Sequence, residues 1–262
     1  MHALGKLTNR AAIGGLFFDI DDTLTTSGRL TAGAYCALER WHAAGKVAVA
    51  ITGRPAGWCD HIARMWPVHA VVGENGAFYF RYDPARHALE KRFLVDPATR
   101  AADRQRLAIV RDRILAEVPG CAVASDQLYR EADLAIDFCE DVAALPLSEA
   151  ERIAEIMRAA GMTAKISSIH VNGWFGDYDK LGMTRRMAAE CLGIDLDAAR
   201  EHFVFVGDSP NDAPMFAYFP NSVGVANVRR FEHLLASPPA FLTTAAAGAG
   251  FAELVDYLLE IT

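Results

Sequence analysis

Long apolar runs are missing from this 262-residue chain: the stretch 11–18 is too short to span a bilayer and ends in Asp19 rather than at a small-residue cleavage site. No export or membrane signal is visible, so a cytoplasmic protein is expected. Basic charge is also in deficit. Lys and Arg number 26 against 33 Asp and Glu, a net charge of -7, which lacks the cationic footprint that sequence-independent binding to nucleic acid or an anionic membrane requires. Small-molecule chemistry is favoured instead. The five cysteines (Cys36, Cys59, Cys121, Cys139, Cys191) form no C-x-x-C pair and no cluster at zinc-ligand spacing. They read as small core residues in a reducing compartment. No G-x-G-x-x-G follows any expected strand, which argues against a nucleotide-binding oxidoreductase. Repeats and low-complexity linkers are absent too, and nothing here sets the oligomeric state.

What is present is apolar bulk, 52% of residues, enough for one large core or two smaller ones. Short apolar runs at 13–19, 47–51, 69–72, 203–206 and 222–226 suit strands buried on both faces of a parallel sheet. Helical patterns separate several of them. Thr31 can cap a helix that stops at Gly45, and Phe251, Leu254, Val255, Leu258 and Leu259 recur at helical spacing near the end. The fold class is α/β, an open, mostly parallel, Rossmann-like sheet.

The middle of the chain follows another pattern. Asp96-Pro97 opens one helix, Ser148-x-x-Glu151 is a capping box for a second, and short alternating strands surround both. Leu134, Ile136 and Phe138 alternate with Asp133, Ala135 and Asp137, the mark of a sheet with one open face. An α+β insertion is therefore expected over 83–178, in the order β-α-β-β-α-β-β, between core segments 1–82 and 179–262.

Four segments carry chemistry, each at or just beyond the carboxyl end of an expected core strand, where open α/β sheets bind ligands. Asp19 and Asp21, at i and i+2, point to one side if the chain stays extended. One could attack phosphorus while the other handles the leaving-group proton; a solvated acidic turn is the plain alternative. Thr52-Gly53-Arg54 offers a hydroxyl and free N–H groups for a phosphate oxygen, or is an ordinary turn. Gly207-Asp208-Ser209-Pro210-Asn211-Asp212 brings two more acids that suit Mg²⁺, although Asp212 could only cap the next helix. Lys180 sits at a helix start, against the helix dipole, as if facing an anion; Lys165 is the rival cation.

Asp-x-Asp-x-Thr at 19–23, Thr-Gly-Arg at 52–54, a lone Lys180 and Gly-Asp-x-x-Asn-Asp at 207–212 stand in an order that resembles the haloacid dehalogenase superfamily. The insertion is similar to the large αβ cap of its Cof-type and sugar-phosphatase branch. The resemblance implies Asp19 as nucleophile and Asp21 as general acid and base. It implies Thr52, Gly53, Lys180 and Asn211 around the phosphoryl group. Mg²⁺ would be held by Asp19, Asp208 and the backbone carbonyl of Asp21, with Asp212 holding a metal-bound water or orienting Lys180. Asp22 supports the turn.

An acid at position 21 favours phosphate transfer over carbon–halogen cleavage, because it can protonate an alkoxide. A phosphatase for a small phosphorylated molecule, a sugar phosphate in particular, is expected. A sugar phosphomutase shares the motifs, and a receiver-type phospho-acceptor module is the reading from another class. Cap residues Asp137, His170, Asn172 and Trp174 are candidates for reading the substrate; the last three share a face if their strand is regular. Asn75, in Glu74-Asn75-Gly76, reads as a turn residue.

Overall fold

A computed structural model describes residues 1–260. Its centre is a nine-stranded sheet that runs, edge to edge, His2–Ala3, Phe241–Leu242, Val223–Gly224, Phe203–Gly207, Gly15–Phe18, Val47–Ile51, Ala70–Gly73, Phe78–Asp83 and Ala88–Phe93. Every pairing as far as Ala70–Gly73 is parallel. The last two strands add an antiparallel hairpin.

Alternation explains the unbroken apolar sequence of the central strands. Leu16, Phe18, Ala48 and Ala50 enter one core, under helices Ala32–Ala43, Ala56–Met65 and Ala247–Leu258. Phe17, Val49 and Ile51 enter a second core on the opposite face, with Met183, Met187 and Phe216 from helices Lys180–Met187 and Ala213–Tyr218. With both faces covered, no position is left for a polar side chain. Thr31 caps the first helix by accepting from the Ala34 N–H, worth about 1 kcal/mol, and Gly45 beyond its end takes a φ of +73°.

A second unit has its own antiparallel four-stranded sheet, in the order Ala122–Val123, Leu134–Asp137, His170–Trp174, Thr163–Ile166. Helices Pro97–Glu117 and Leu147–Ala159 back it through Leu107, Val110, Ile114, Ile136, Ile153 and Val171. Asp96 caps the first of these helices, accepting from Ala98 and Thr99.

Three expectations need correction. The strand Ala88–Phe93, inside the expected insertion, belongs to the nine-stranded sheet, where Phe78, Phe80 and Phe93 cluster. The boundary at 83 therefore falls within a hairpin, and the cap begins near Pro97. No capping box forms at Ser148, because the helix starts two residues earlier than such a cap requires, at Leu147 after Pro146, which places Ser148 inside the first turn. Nor is the second face of the cap sheet open: Asp133, Ala135, Asp137, His170, Asn172 and Trp174 are all buried. Gly76, in the turn ahead of the hairpin, has a φ of +109°, and a Cβ there would lie 2.0 Å from the Asp179 carbonyl oxygen, so this turn meets the segment returning from the cap where only glycine fits.

Candidate active site

Strand Gly15–Phe18 lies between Phe203–Gly207 and Val47–Ile51, the place where the chain's path reverses across the sheet and opens a crevice beyond the strand ends. Asp19, Thr52 and Asp208 each follow one of these three strands, and all are buried. Lys180 is brought in from the start of its helix. Its Nζ lies 2.7 Å from Asp19 Oδ1 and 2.7 Å from Asp212 Oδ1, and it is only 1% exposed. Burial alone would discharge Lys180, but Asp19 and Asp212 outweigh that and hold its pKa above the ordinary lysine value. The rival Lys165 lines a separate surface hollow with Glu151 and Glu155. Asp212 makes no side-chain cap to the helix after it. Its other oxygen accepts from the N–H groups of Asp208 and Ser209.

Carboxylate oxygens of Asp19, Asp208 and Asp212 all come within 4.8 Å of one another. Burial pushes Asp19 up to about 8 despite Lys180, and burial together with Asp19 and Asp212 pushes Asp208 well above the carboxylate range. Asp208 Oδ1 is buried with no hydrogen-bond partner. Hard oxygen donors, surplus negative charge and an orphaned oxygen together fit Mg²⁺. Asn227, which the sequence did not flag, donates to Asp208 Oδ2 and to the Asp22 carbonyl. It stands just past strand Val223–Gly224, so the strand-end rule that found the other residues would have found it. Asp21, expected to offer the metal its backbone carbonyl, keeps its side chain out of this cluster; its carboxylate is taken by Arg54 at 2.8 Å. Asp22, at a φ of +52°, supports the turn through its N–H to Thr25.

Around the position a phosphoryl group would take, Thr52 Oγ1 accepts from the Arg54 N–H at 3.0 Å and keeps its own proton free to donate. Gly53 lines the same space, while its carbonyl is bound by Arg130 from the cap at 2.8 Å. Asn211 accepts from Ser209 and donates to Asn75 Oδ1 at 3.2 Å. Asn75 thus belongs to the site, contrary to its reading as a turn residue alone. It is 2% exposed at a φ of +54°, with its Nδ2 unpartnered.

The cap candidates divide. His170 and Asn172 line the small space over Asp19. His170 Nε2 is 2.9 Å from Glu140 Oε2 but out of hydrogen-bonding alignment. Asn172 donates to Asp133 at 2.8 Å. Asp137 is committed to the backbone: its carboxylate accepts from the N–H groups of Cys139, Glu140 and Asp141, shaping the loop that carries Glu140. Trp174 shares the face of His170 and Asn172 but lies beyond the site, fully buried and stacked on Tyr178 with centroids 5.3 Å apart.

A buried charge system pins this cap down. Glu74, at the end of a core strand, accepts N–H bonds from Glu131, Ala132 and Asp133 of the cap and from Ala56 of the core. Arg130, fully buried, binds Asp126 and Asp133 as well as Gly53. The space directly over Asp19 is about 10 Å³, room for a water at most. It adjoins a 400 Å³ chamber lined by Asp21, Asp22, Ser27, Arg54, Glu140, Ser168 and Arg230. Admitting a phosphate requires Arg54, His170 or the cap to shift.

Residues 13–219 match the family described as haloacid dehalogenase-like hydrolase, and the chain belongs to that family. No sequence match was found among curated proteins. Among solved structures, the C-terminal domain of a C. albicans trehalose-6-phosphate phosphatase is 14% identical, with 100% of this chain and 99% of that one covered at a TM-score of 0.71. A Thermoplasma acidophilum protein is 15% identical over 94% and 98% of the two chains, TM-score 0.68. A sucrose-phosphatase from Synechocystis, in complex with sucrose and phosphate, is 15% identical over 93% and 97%, TM-score 0.60. At these identities the likeness is one of fold. Among the described residues no helix is long and apolar enough to cross a membrane.

Proposed function

We propose that this protein is a Mg²⁺-dependent phosphatase that hydrolyses a small phosphate monoester, a sugar phosphate, through an aspartyl-phosphate on Asp19. The observation that carries the reading is the set of Asp19, Lys180, Asp208 and Asp212, buried together at the strand ends with one cation among three carboxylates. Asp19, Asp208 and Asp212 would hold the metal, which supplies positive charge to offset the phosphate and keep these carboxylates ionised. Thr52, Asn211 and Lys180 hold the phosphoryl oxygens, and positioning plus neutralised charge is what phosphoryl transfer demands. Asp19 attacks phosphorus in line; Asp21 protonates the leaving oxygen, then takes a proton from the water that hydrolyses the intermediate.

Several features support a sugar as leaving group. The 400 Å³ chamber is lined by carboxylates, hydroxyls and guanidinium groups, which suit a polyol. Two neighbours in fold are named for sugar phosphates.

Incubation with p-nitrophenyl phosphate and a panel of hexose and disaccharide phosphates, with and without Mg²⁺, is expected to release inorganic phosphate only when Mg²⁺ is present. No release from any of them sinks the reading. The metal site has a separate test: Asp208→Asn should weaken Mg²⁺ binding, followed by titration calorimetry, by at least about 10- to 100-fold. Unchanged affinity would place the metal elsewhere.

A further inference from the structure

Arg54 makes contacts that the phosphate chemistry does not require. It leaves the turn after strand Val47–Ile51, is 3% exposed, and uses all its donors on carboxylates. Its Nε lies 2.9 Å from Asp21 Oδ2, and Nη2 lies 2.8 Å from Asp21 Oδ1. On the other edge, Nη2 reaches Glu140 Oε1 at 2.5 Å, and Nη1 reaches Glu140 Oε2 at 3.3 Å and Asp126 Oδ2 at 3.2 Å. Trp58 covers one face of the guanidinium, its ring centroid 4.4 Å away. Asp21 belongs to the core; Glu140 and Asp126 belong to the cap.

A guanidinium is planar, so it fixes the relative directions of the groups on its two edges, which an ammonium cannot do. Asp126 is itself anchored, because Arg130 binds both it and Gly53. Glu140 is the adjustable member. It sits at the rim of the 400 Å³ chamber, on the loop that Asp137 shapes, with its side chain 22% exposed.

We infer that Arg54 is a positioning residue that transmits the placement of the cap, through Glu140, to the carboxyl group of Asp21. This rests on the phosphatase reading. As the bond from Asp19 to phosphorus forms and the bond from phosphorus to the leaving oxygen breaks, the proton on Asp21 passes to that oxygen, which departs as an alcohol. The transfer requires Asp21 to lie in hydrogen-bonding reach of the leaving oxygen, and the Arg54 fork sets where it lies. An acidic phenol leaves without help. A sugar alkoxide does not.

The test compares wild type, Arg54→Lys and Glu140→Gln across phosphate monoesters graded from p-nitrophenyl to simple alkyl. The readout is kcat/KM, which covers the steps up to departure of the alcohol, with a thermal melt to show that each protein is folded. Whatever either variant loses on the nitrophenyl ester, it should lose about tenfold or more beyond that on alkyl esters, a part of the 10²- to 10⁴-fold that general acid catalysis supplies. The plot of log kcat/KM against leaving-group acidity then steepens. Should Arg54→Lys fail to fold, Glu140→Gln, at its partly exposed position, decides alone. Equal losses on every ester, or no loss on any, would overturn the coupling while the phosphatase reading stands. A wild-type protein inactive on all the esters would overturn both.

Discussion

Asp19→Asn is expected to lower kcat by about 10⁴-fold or more, as removal of a nucleophile does elsewhere, while the protein stays folded. Asparagine has nearly the shape of aspartate, so the packing at the end of strand Gly15–Phe18 survives. Lys180 keeps Asp212 at 2.7 Å as its counter-charge. Burial already disfavours the charged form of Asp19, so a neutral side chain there does not destabilise the fold. Phosphate release by the purified variant and its melting temperature separate the two effects. Activity within tenfold of wild type would refute Asp19 as the nucleophile.

Lys180→Met should damage both activity and stability. Methionine fills most of the lysine's volume but leaves Asp19 and Asp212 facing each other without a cation. Removing one partner of a buried ion pair costs about 3–5 kcal/mol; partial relief comes from protonation, because burial has already raised Asp19 to about 8. A loss of about 3 kcal/mol is the expected result, read by denaturant unfolding of the metal-free protein. A chain of this size loses roughly 2–4 °C in Tm per kcal/mol, so the shift is easily measured. Unchanged stability would mean that the carboxylates are not ionised around Lys180.

The catalytic half of this fold was legible because its physics is local. Strands covered on both faces must be apolar throughout, so 47–51 and 203–206 announce themselves, and the acids that follow stand out against them. Lys180 could not be separated from Lys165 on that basis, since the partner that distinguishes it, Asp19, is 161 positions away. Arg54 was visible as part of Thr-Gly-Arg but without a role. Its role depends on Glu140, 86 positions off in the cap. Asn75 was hidden by its own conformation, because a left-handed φ suits asparagine equally in an idle turn and in a site. Trp174 shows the limit of periodicity: alternation gave the correct face, but the strand runs on past the site. Only the second strand of the hairpin, Ala88–Phe93, fell on the wrong side of the boundary, because nothing in the sequence of so short a strand says which of two sheets it joins.

The bonds from Glu74 to residues 131–133 mean that this cap is not an interchangeable cassette. A foreign cap spliced between 94 and 178 would leave buried Glu74 with the Ala56 N–H in place of its full set of amide partners, and a buried carboxylate stripped of most of its partners costs several kcal/mol. On the proposed reading, altered specificity is therefore reached most cheaply by point changes around the chamber, with segment 126–133 kept together with the core it grips.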